Sequence, residues 1–201
     1  MGTLFAVDFE QARSAYHQGA YIKALNSFFI LAKEGNPIAQ HNLALMYASG
    51  KGAKQDNAKA LRWYEKAAKQ GYGPASYNLA QLYHQRAKSN PHDYQKAKYW
   101  YEKAINAEIK EAYNNLASLY LMGEKGKKES AKAVALLEKA ATLNNSKAQI
   151  NLAWLYAWGK DVPHNKMKAY ENLKKALAAG ENEASGYLDK LCQESAWVCK
   201  D

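Results

Sequence analysis

Four segments of this chain open on the same three residues and close on the same tyrosine: NLALMY from Asn42, NLAQLY from Asn78, NLASLY from Asn115 and NLAWLY from Asn151. The steps between them are 36, 37 and 36 residues. A step this constant means that one supersecondary unit is reused along the chain, so the fold is an array of similar pieces. A second series keeps the same step: ALNSFFILAKEG from Ala24, ALRWYEKAAKQG from Ala60, AKYWYEKAINAE from Ala97, AVALLEKAATLN from Ala133 and AYENLKKALAAG from Ala169. Each unit therefore holds two elements, a helix A followed by a helix B.

Both series carry helical spacing. In helix A, Ala39, Leu43, Ala44, Met46 and Tyr47 recur as Ala75, Leu79, Ala80, Leu82 and Tyr83, three and four positions apart on one face. The small residue after the leucine (Ala44, Ala80, Ala117, Ala153) lets a neighbouring helix come close, and the tyrosine fills the space beside it. In helix B, Ala60, Leu61, Tyr64, Ala67 and Ala68 form the matching stripe. Gly35, Gly71 and Gly180 follow helix B where a left-handed cap is expected, and Pro37 and Pro74 stand near the next helix start.

A hairpin with one apolar stripe cannot bury it alone, so successive hairpins must stack into a solenoid with a continuous core. The prediction is an all-α superhelix of about five helix hairpins with a C-terminal capping helix. The expected limits are an N-terminal tail at 1–7 and a solenoid over 8–192. The solenoid divides into a first unit at 8–36, further units at 37–72, 73–109, 110–145 and 146–181, and a cap helix at 182–192, followed by a tail at 193–201. In the cap, Asp189 takes the small-alanine slot and Cys192 the tyrosine slot, as expected of a terminal helix with no successor. The first unit is tighter than the rest: Tyr16 to Ala24 spans 8 positions, against 13 from Tyr47 to Ala60.

These residues resemble the Sel-one-like repeat (SLR) family, relatives of the tetratricopeptide repeat with a longer loop between helices. The clearest unit is AQHNLALMYASGKGAKQDNAKALRWYEKAAKQG, Ala39 to Gly71, with the family's A-x-x-x-L-x-x-x-Y, G-x-G, K-A and W-Y-x-K-A-A elements. The likeness covers roughly residues 37 to 192, and the short loop of the first unit is closer to a tetratricopeptide repeat. The third unit's loop, HQRAKSNPHDYQ, lacks the paired glycines, and the fourth and fifth keep Gly123 and Gly159 in altered surroundings, which leaves those loop geometries open. The resemblance implies a right-handed superhelix whose helices A line a concave groove. It also implies a non-enzymatic adaptor or binding scaffold, a role common in bacterial envelopes and signalling, and names no partner.

Function must then lie in what varies. The slots that differ between units are His41, Tyr77, Asn114 and Ile150, then Leu45, Gln81, Ser118 and Trp154, then Ala48, His84, Leu121 and Ala157. By resemblance to tetratricopeptide domains they line the groove, with Trp158 beside them, and its C-terminal half is the more apolar. Trp154 is the expected anchor of a partner, unless it packs beneath the cap. Asn42, Asn78, Asn115 and Asn151 are costly in mid-helix and admit two roles. One is a ladder of amides offered to the main chain of an extended peptide; the other, favoured here, is a set of bonds to neighbouring helices that fixes their stacking.

Charge adds a second candidate surface. The chain has 28 basic and 19 acidic residues, a net charge of +9, and much of the excess recurs in equivalent loops, including Lys51, Lys54, Lys125, Lys127, Lys128 and Lys160. Stacked, these loops form a basic edge suited to an acidic protein or anionic surface, or simply a solvated lysine fringe. The expected partner is another protein or extended peptide, with an acidic one favoured by the charge. Self-association through an incompletely capped end stays open, and RNA is the weaker alternative because the slots that read bases in RNA-binding repeats are absent.

No cofactor or metal is expected, since the five histidines are scattered and no HExxH, GxSxG or phosphate-binding glycine loop occurs. No run approaches the ~18 apolar residues that a membrane span needs. Cys192 and Cys199 fit no zinc or redox motif; a bond between them requires the last helix to end between them, and the alternative is two free thiols. The bonded form and the TLFA stretch ending at Ala6, which has the form of a signal-cleavage remnant, point to a periplasmic or secreted protein, with a cytoplasmic one left open. A specific version is an immunity protein that neutralises a secreted toxin.

Overall fold

The computed structural model describes residues 8–124 and 128–199. Among the described residues, eleven α-helices run in five hairpins and a cap. The first pair is α1 (Phe9–His17) with α2 (Tyr21–Lys33), and the second is α3 (Pro37–Ser49) with α4 (Asn57–Lys69). The third pair is α5 (Gly73–Ala87) with α6 (Pro91–Asn106), and the fourth is α7 (Glu111–Met122) with α8 (Ser130–Thr142). The fifth pair, α9 (Ser146–Trp158) with α10 (Lys166–Ala178), is followed by α11 (Glu183–Glu194) and a 3-10 turn, Ala196–Cys199. Odd-numbered helices are the helices A and even-numbered ones the helices B.

Helix starts follow side-chain chemistry. Asn36 accepts from the amides of Ile38 and Ala39 at 3.0 and 2.9 Å, and Asp56, Asn145 and Asn165 do the same for the amide three residues on. Each satisfies donors that the first helical turn cannot. Close packing follows from the alanines: Ala44, Ala80, Ala117 and Ala153 are all fully buried, and Tyr83, Tyr120 and Tyr156 beside them are at most 7% exposed. Two core clusters result, a small one under α1 and α2 and a larger one from α3 to the tail, with Tyr47 and Trp63 packed against both.

A single left-handed residue follows every helix B. Gly35, Gly71 and Gly180 hold it as expected, while Glu108 (φ 63°) and Asn144 (φ 59°) occupy the same place in the third and fourth units. Glycine is thus replaced twice at a position whose backbone demand is unchanged, and Glu108 bears the strain of a side chain there. Gly52 has a second reason to be glycine: a Cβ on it would lie 2.5 Å from the carbonyl oxygen of Tyr21. The second unit's loop therefore rests on the start of α2, with Lys51 donating to the Tyr16 hydroxyl at 3.0 Å.

The third unit, without paired glycines, replaces the long loop with longer helices. Its α5 and α6 are 15 and 16 residues long and only residues 88–90 separate them. Asp93, 1% exposed in the first turn of α6, meets the Arg86 guanidinium at 2.9 Å, which ties the two lengthened ends together.

The C-terminal segment folds back. Because α11 stops at Glu194, the 3-10 turn returns against α11 and α10, and Cys192 and Cys199 are joined, with Cα atoms 5.7 Å apart. Val198 is buried, and Lys166 donates to the Ser195 hydroxyl. The segment read as a tail thus covers the last helix B where a sixth hairpin would otherwise stack. The N-terminal residues 1–7, with their signal-like stretch, lie outside the described residues.

Candidate functional site

Along the face made by the helices A, the asparagines reach backward. Asn78 Nδ2 stands 2.9 Å from His41 Nε2, Asn115 donates to the Tyr77 hydroxyl at 2.9 Å, and Asn151 donates to Asn114 Oδ1 at 2.8 Å. In every case the acceptor sits one residue before the preceding unit's asparagine. The amides therefore link unit to unit at a fixed offset. The ladder starts at the second unit, because the place before Gln11 is held by Glu10, which pairs with Arg13 at 2.7 Å. It stops at α11, where Tyr187 stands in the slot of a fifth asparagine and the residue opposite is Ile150.

Two predicted groove residues are withdrawn from the surface. His41 is 8% exposed, with the rings of Tyr64 and Tyr72 centred 5.6 and 5.2 Å from its own. Ile150 is 7% exposed and belongs to the core. Both lie on the face expected to line a groove, but His41 meets Asn78 of the next helix A and Ile150 is part of the core. An amide NH2 can only donate, so His41 Nε2 must keep its lone pair and its proton sits on Nδ1, which has no partner. Burial pushes the His41 pKa down to about 4.

A further register device escaped the sequence reading. Gln40, 4% exposed, donates to the Ala32 carbonyl at 3.0 Å, and Gln149 in the same slot donates to Ala141 at 3.4 Å. Each satisfies a carbonyl at the end of the preceding helix B. The signal was present as a glutamine directly after the invariant alanine.

What remains open on the A-helix face falls into two parts. Near the middle, a polar cavity of about 340 Å³ is lined by Gln81, His84, Gln85, Lys88, Asn115 and Ser118, over the ring of Tyr101. His84 Nδ1 lies 3.2 Å from the Tyr101 hydroxyl, and burial, with Lys88 adding, lowers its pKa from the usual histidine value. Toward the C-terminus, a cavity of about 390 Å³ is lined by Leu121, Trp154, Trp158 and Val162, with Lys128, Lys160 and Asp161 around it. Trp154 is 46% exposed there, and Leu45, in the equivalent slot of the second unit, is 39% exposed.

The two tryptophans have parted. Trp158 donates to Glu194 at 2.7 Å, packs on Tyr187 and lies under Lys190, so it seats the cap helix. Trp154, for which packing beneath the cap was an alternative, stays at the surface. The basic edge is partly committed within the molecule: Lys51 is held by Tyr16, and Lys128 stands 3.7 Å from Asp161. Lys54 and Lys160 are exposed, and Lys125 and Lys127 lie outside the described residues. Among the described residues no group of histidine, cysteine and carboxylate side chains is placed to hold a metal, and no helix is long and apolar enough to cross a membrane.

Comparison with known proteins adds the following. A model of the Sel1 repeat matches residues 37–72, 73–108, 110–145 and 146–181, more than half of the chain. A sel1-like repeat-containing protein, L21, of Acanthamoeba polyphaga mimivirus is 40% identical over 57 residues, which is 28% of this chain and 11% of that protein. The crystal structure of a Sel1 repeat protein from Oxalobacter formigenes is 26% identical, with a TM-score of 0.68 over 78% of this chain and 64% of that one. The chain thus spans less than two thirds of either relative. The immunity protein Pa5087 from Pseudomonas aeruginosa is 23% identical, with a TM-score of 0.53 over 87% of this chain and 68% of its own, a likeness of fold.

Proposed function

The chain belongs to the Sel1 repeat family, and from that premise we propose that it is a non-enzymatic scaffold that holds another protein on the C-terminal half of its A-helix face. Sel1 repeats form scaffolds suited to protein–protein interaction. The observation that carries the reading is Trp154, 46% exposed at a cavity that Leu121 and Val162 make apolar. An aromatic ring left in water beside an unfilled apolar recess is the usual centre of a protein interface. Lys54, Lys160 and the net charge of +9 favour an acidic segment as the occupant.

The test is a pull-down from bacterial envelope extract with wild type and Trp154→Ala. A partner retained by the first and lost by the second supports the site, whereas undiminished capture removes Trp154 as its anchor. Retention should weaken as salt rises if the basic residues contribute.

An exported location is part of the proposal, supported by the Cys192–Cys199 bond, since such bonds persist in oxidising compartments. Two thiols that react without denaturant in protein isolated from its producing cells would reject it. The narrower reading, a protein that neutralises a secreted toxin, is compatible with a small basic solenoid. It predicts that the captured partner is toxic when produced without this chain.

A further inference from the structure

The B-helix face is built of valleys between consecutive helices B, and corresponding residues line each one. In the first valley, between α2 and α4, Phe29 packs on Trp63 with ring centroids 6.1 Å apart. In the second, between α4 and α6, the slots of Arg62 and Trp63 are taken by Tyr99 and Trp100, two rings 4.9 Å apart. In the fourth, between α8 and α10, the slots hold Glu171 and Asn172, and a polar network crosses the valley: Tyr156 donates to Glu138 at 2.6 Å and Lys168 stands 3.6 Å from it. These valleys are filled or polar.

The third valley, between α6 and α8, is neither. Ala135 and Leu136 stand where the second valley has Tyr99 and Trp100, and the missing bulk leaves a cavity of about 390 Å³. Its lining includes Ile105, Leu116 and Leu136, with Glu102, Asn106 and Lys132 as polar members, and Lys132 is paired with Glu129. Glu65 and Glu138, the same residue in the neighbouring valleys, face Lys69 and Lys168, but Glu102 has no cation partner among the described residues. The recess has the size for one large aromatic side chain and a carboxylate placed to accept a hydrogen bond. An indole meets both demands, and Trp158 on Glu194 shows the same pairing elsewhere in this molecule.

The chain also presents an indole with no recess of its own. Trp197 is 62% exposed on the 3-10 turn, between the buried Val198 and the Cys192–Cys199 bond that hold its backbone in place. The turn packs on α11 and on α10, a helix B, which places Trp197 at the α10 end of the row of helices B. Between knob and recess, Glu138, Lys168, Glu171 and Lys175 carry both signs of charge, so two such faces can approach without uniform repulsion.

We propose that two copies of this chain pair through their B-helix faces, Trp197 of each entering the cavity between α6 and α8 of the other. Reciprocal insertion makes a closed two-fold contact, in which neither recess is left open. The contact is separate from the A-helix face, so it stands or falls independently of the partner proposed for Trp154.

The experiment is sedimentation equilibrium of the purified, oxidised protein over a wide concentration range at low and high salt. A monomer–dimer equilibrium is expected, tighter at high salt because two copies of charge +9 repel and screening relieves this. Trp197→Ala and Ala135→Tyr, the latter importing the residue found in the same slot of the preceding unit, should each weaken dimerisation about tenfold or more while leaving helicity and the melting of the dilute monomer unchanged. Mixing the two variants should restore part of the association, since one intact knob then meets one intact recess. A chain that stays monomeric throughout, or dimers that survive both substitutions, would overturn the proposal.

Discussion

His41 and Trp154 stand on the same face of two helices A, one 8% exposed and the other 46% exposed. In the N-terminal half of that face His41 and Tyr77 turn toward the next helix and receive Asn78 and Asn115, with Tyr101 beneath, while Leu45 is exposed. In the C-terminal half the ladder continues only as an exposed amide pair, Asn114 with Asn151, and Trp154 is left to solvent. The difference teaches that position within the repeat separates the two roles: the slot before the asparagine is buried at both His41 and Ile150, and the slot three after it is exposed at both Leu45 and Trp154. What changes along the face is the side chain in each slot, so the buried one holds a register bond at His41 and apolar packing at Ile150.

The largest expected break in this contrast is with pH. A buried neutral histidine with pKa near 4, against 6.5 when unfolded, means that the unfolded chain binds more protons between those values. Its stability contribution is therefore full above pH 6.5 and is lost as pH falls toward 4, by about 3 kcal/mol in all. Urea unfolding at a series of pH values should show the loss, and His41→Gln should remove most of it. His84, whose pKa burial also lowers, acts in the same direction and remains in that variant.

Next in size is the divergence of the two tryptophans. Trp158→Ala should lower stability by about 2 kcal/mol, since it removes both the packing on Tyr187 and the bond to Glu194. Trp154→Ala should change it by about 0.5 kcal/mol or less, because half of the ring already faces water. Thermal unfolding of both variants decides whether only one of them is structural. Equal losses would contradict the assignment of Trp154 to binding.

The smaller effects separate the rungs of the ladder. Asn78→Ala leaves a buried imidazole nitrogen unsatisfied and should cost about 1 to 2 kcal/mol. With the opposing NH2 gone, the His41 pKa should also rise, which NMR titration of its ring protons would register. Asn151→Ala, at an exposed rung, should cost about 0.5 kcal/mol or less. If the two substitutions proved equal, the ladder would be uniform and the contrast between halves would fail.

Much of this molecule was legible in advance. The step of 36 or 37 residues, the small alanine after each leucine and the tyrosine beyond it gave the helix pairs, their stacking and the terminal cap, because apolar spacing is a local property of the chain. The loop of the third unit was not legible: nothing in HQRAKSNPHDYQ announces that Arg86 and Asp93 will meet and extend two helices. Nor was the exposure of His41, Ile150, Trp154 and Trp158, because helical spacing does not say which of these slots the adjacent unit covers.

The sequence by itself determined a repeating α-helical pair, the positions that must be small or apolar for the pairs to stack, and the excess of basic charge. Tertiary structure alone decided which asparagines bond to a buried partner, which tryptophan seats the cap and which valley is left unfilled. The reason is that a helix fixes the direction of a side chain only relative to its own axis, whereas burial and hydrogen bonding depend on residues one repeat away, contributed by a different pair of helices.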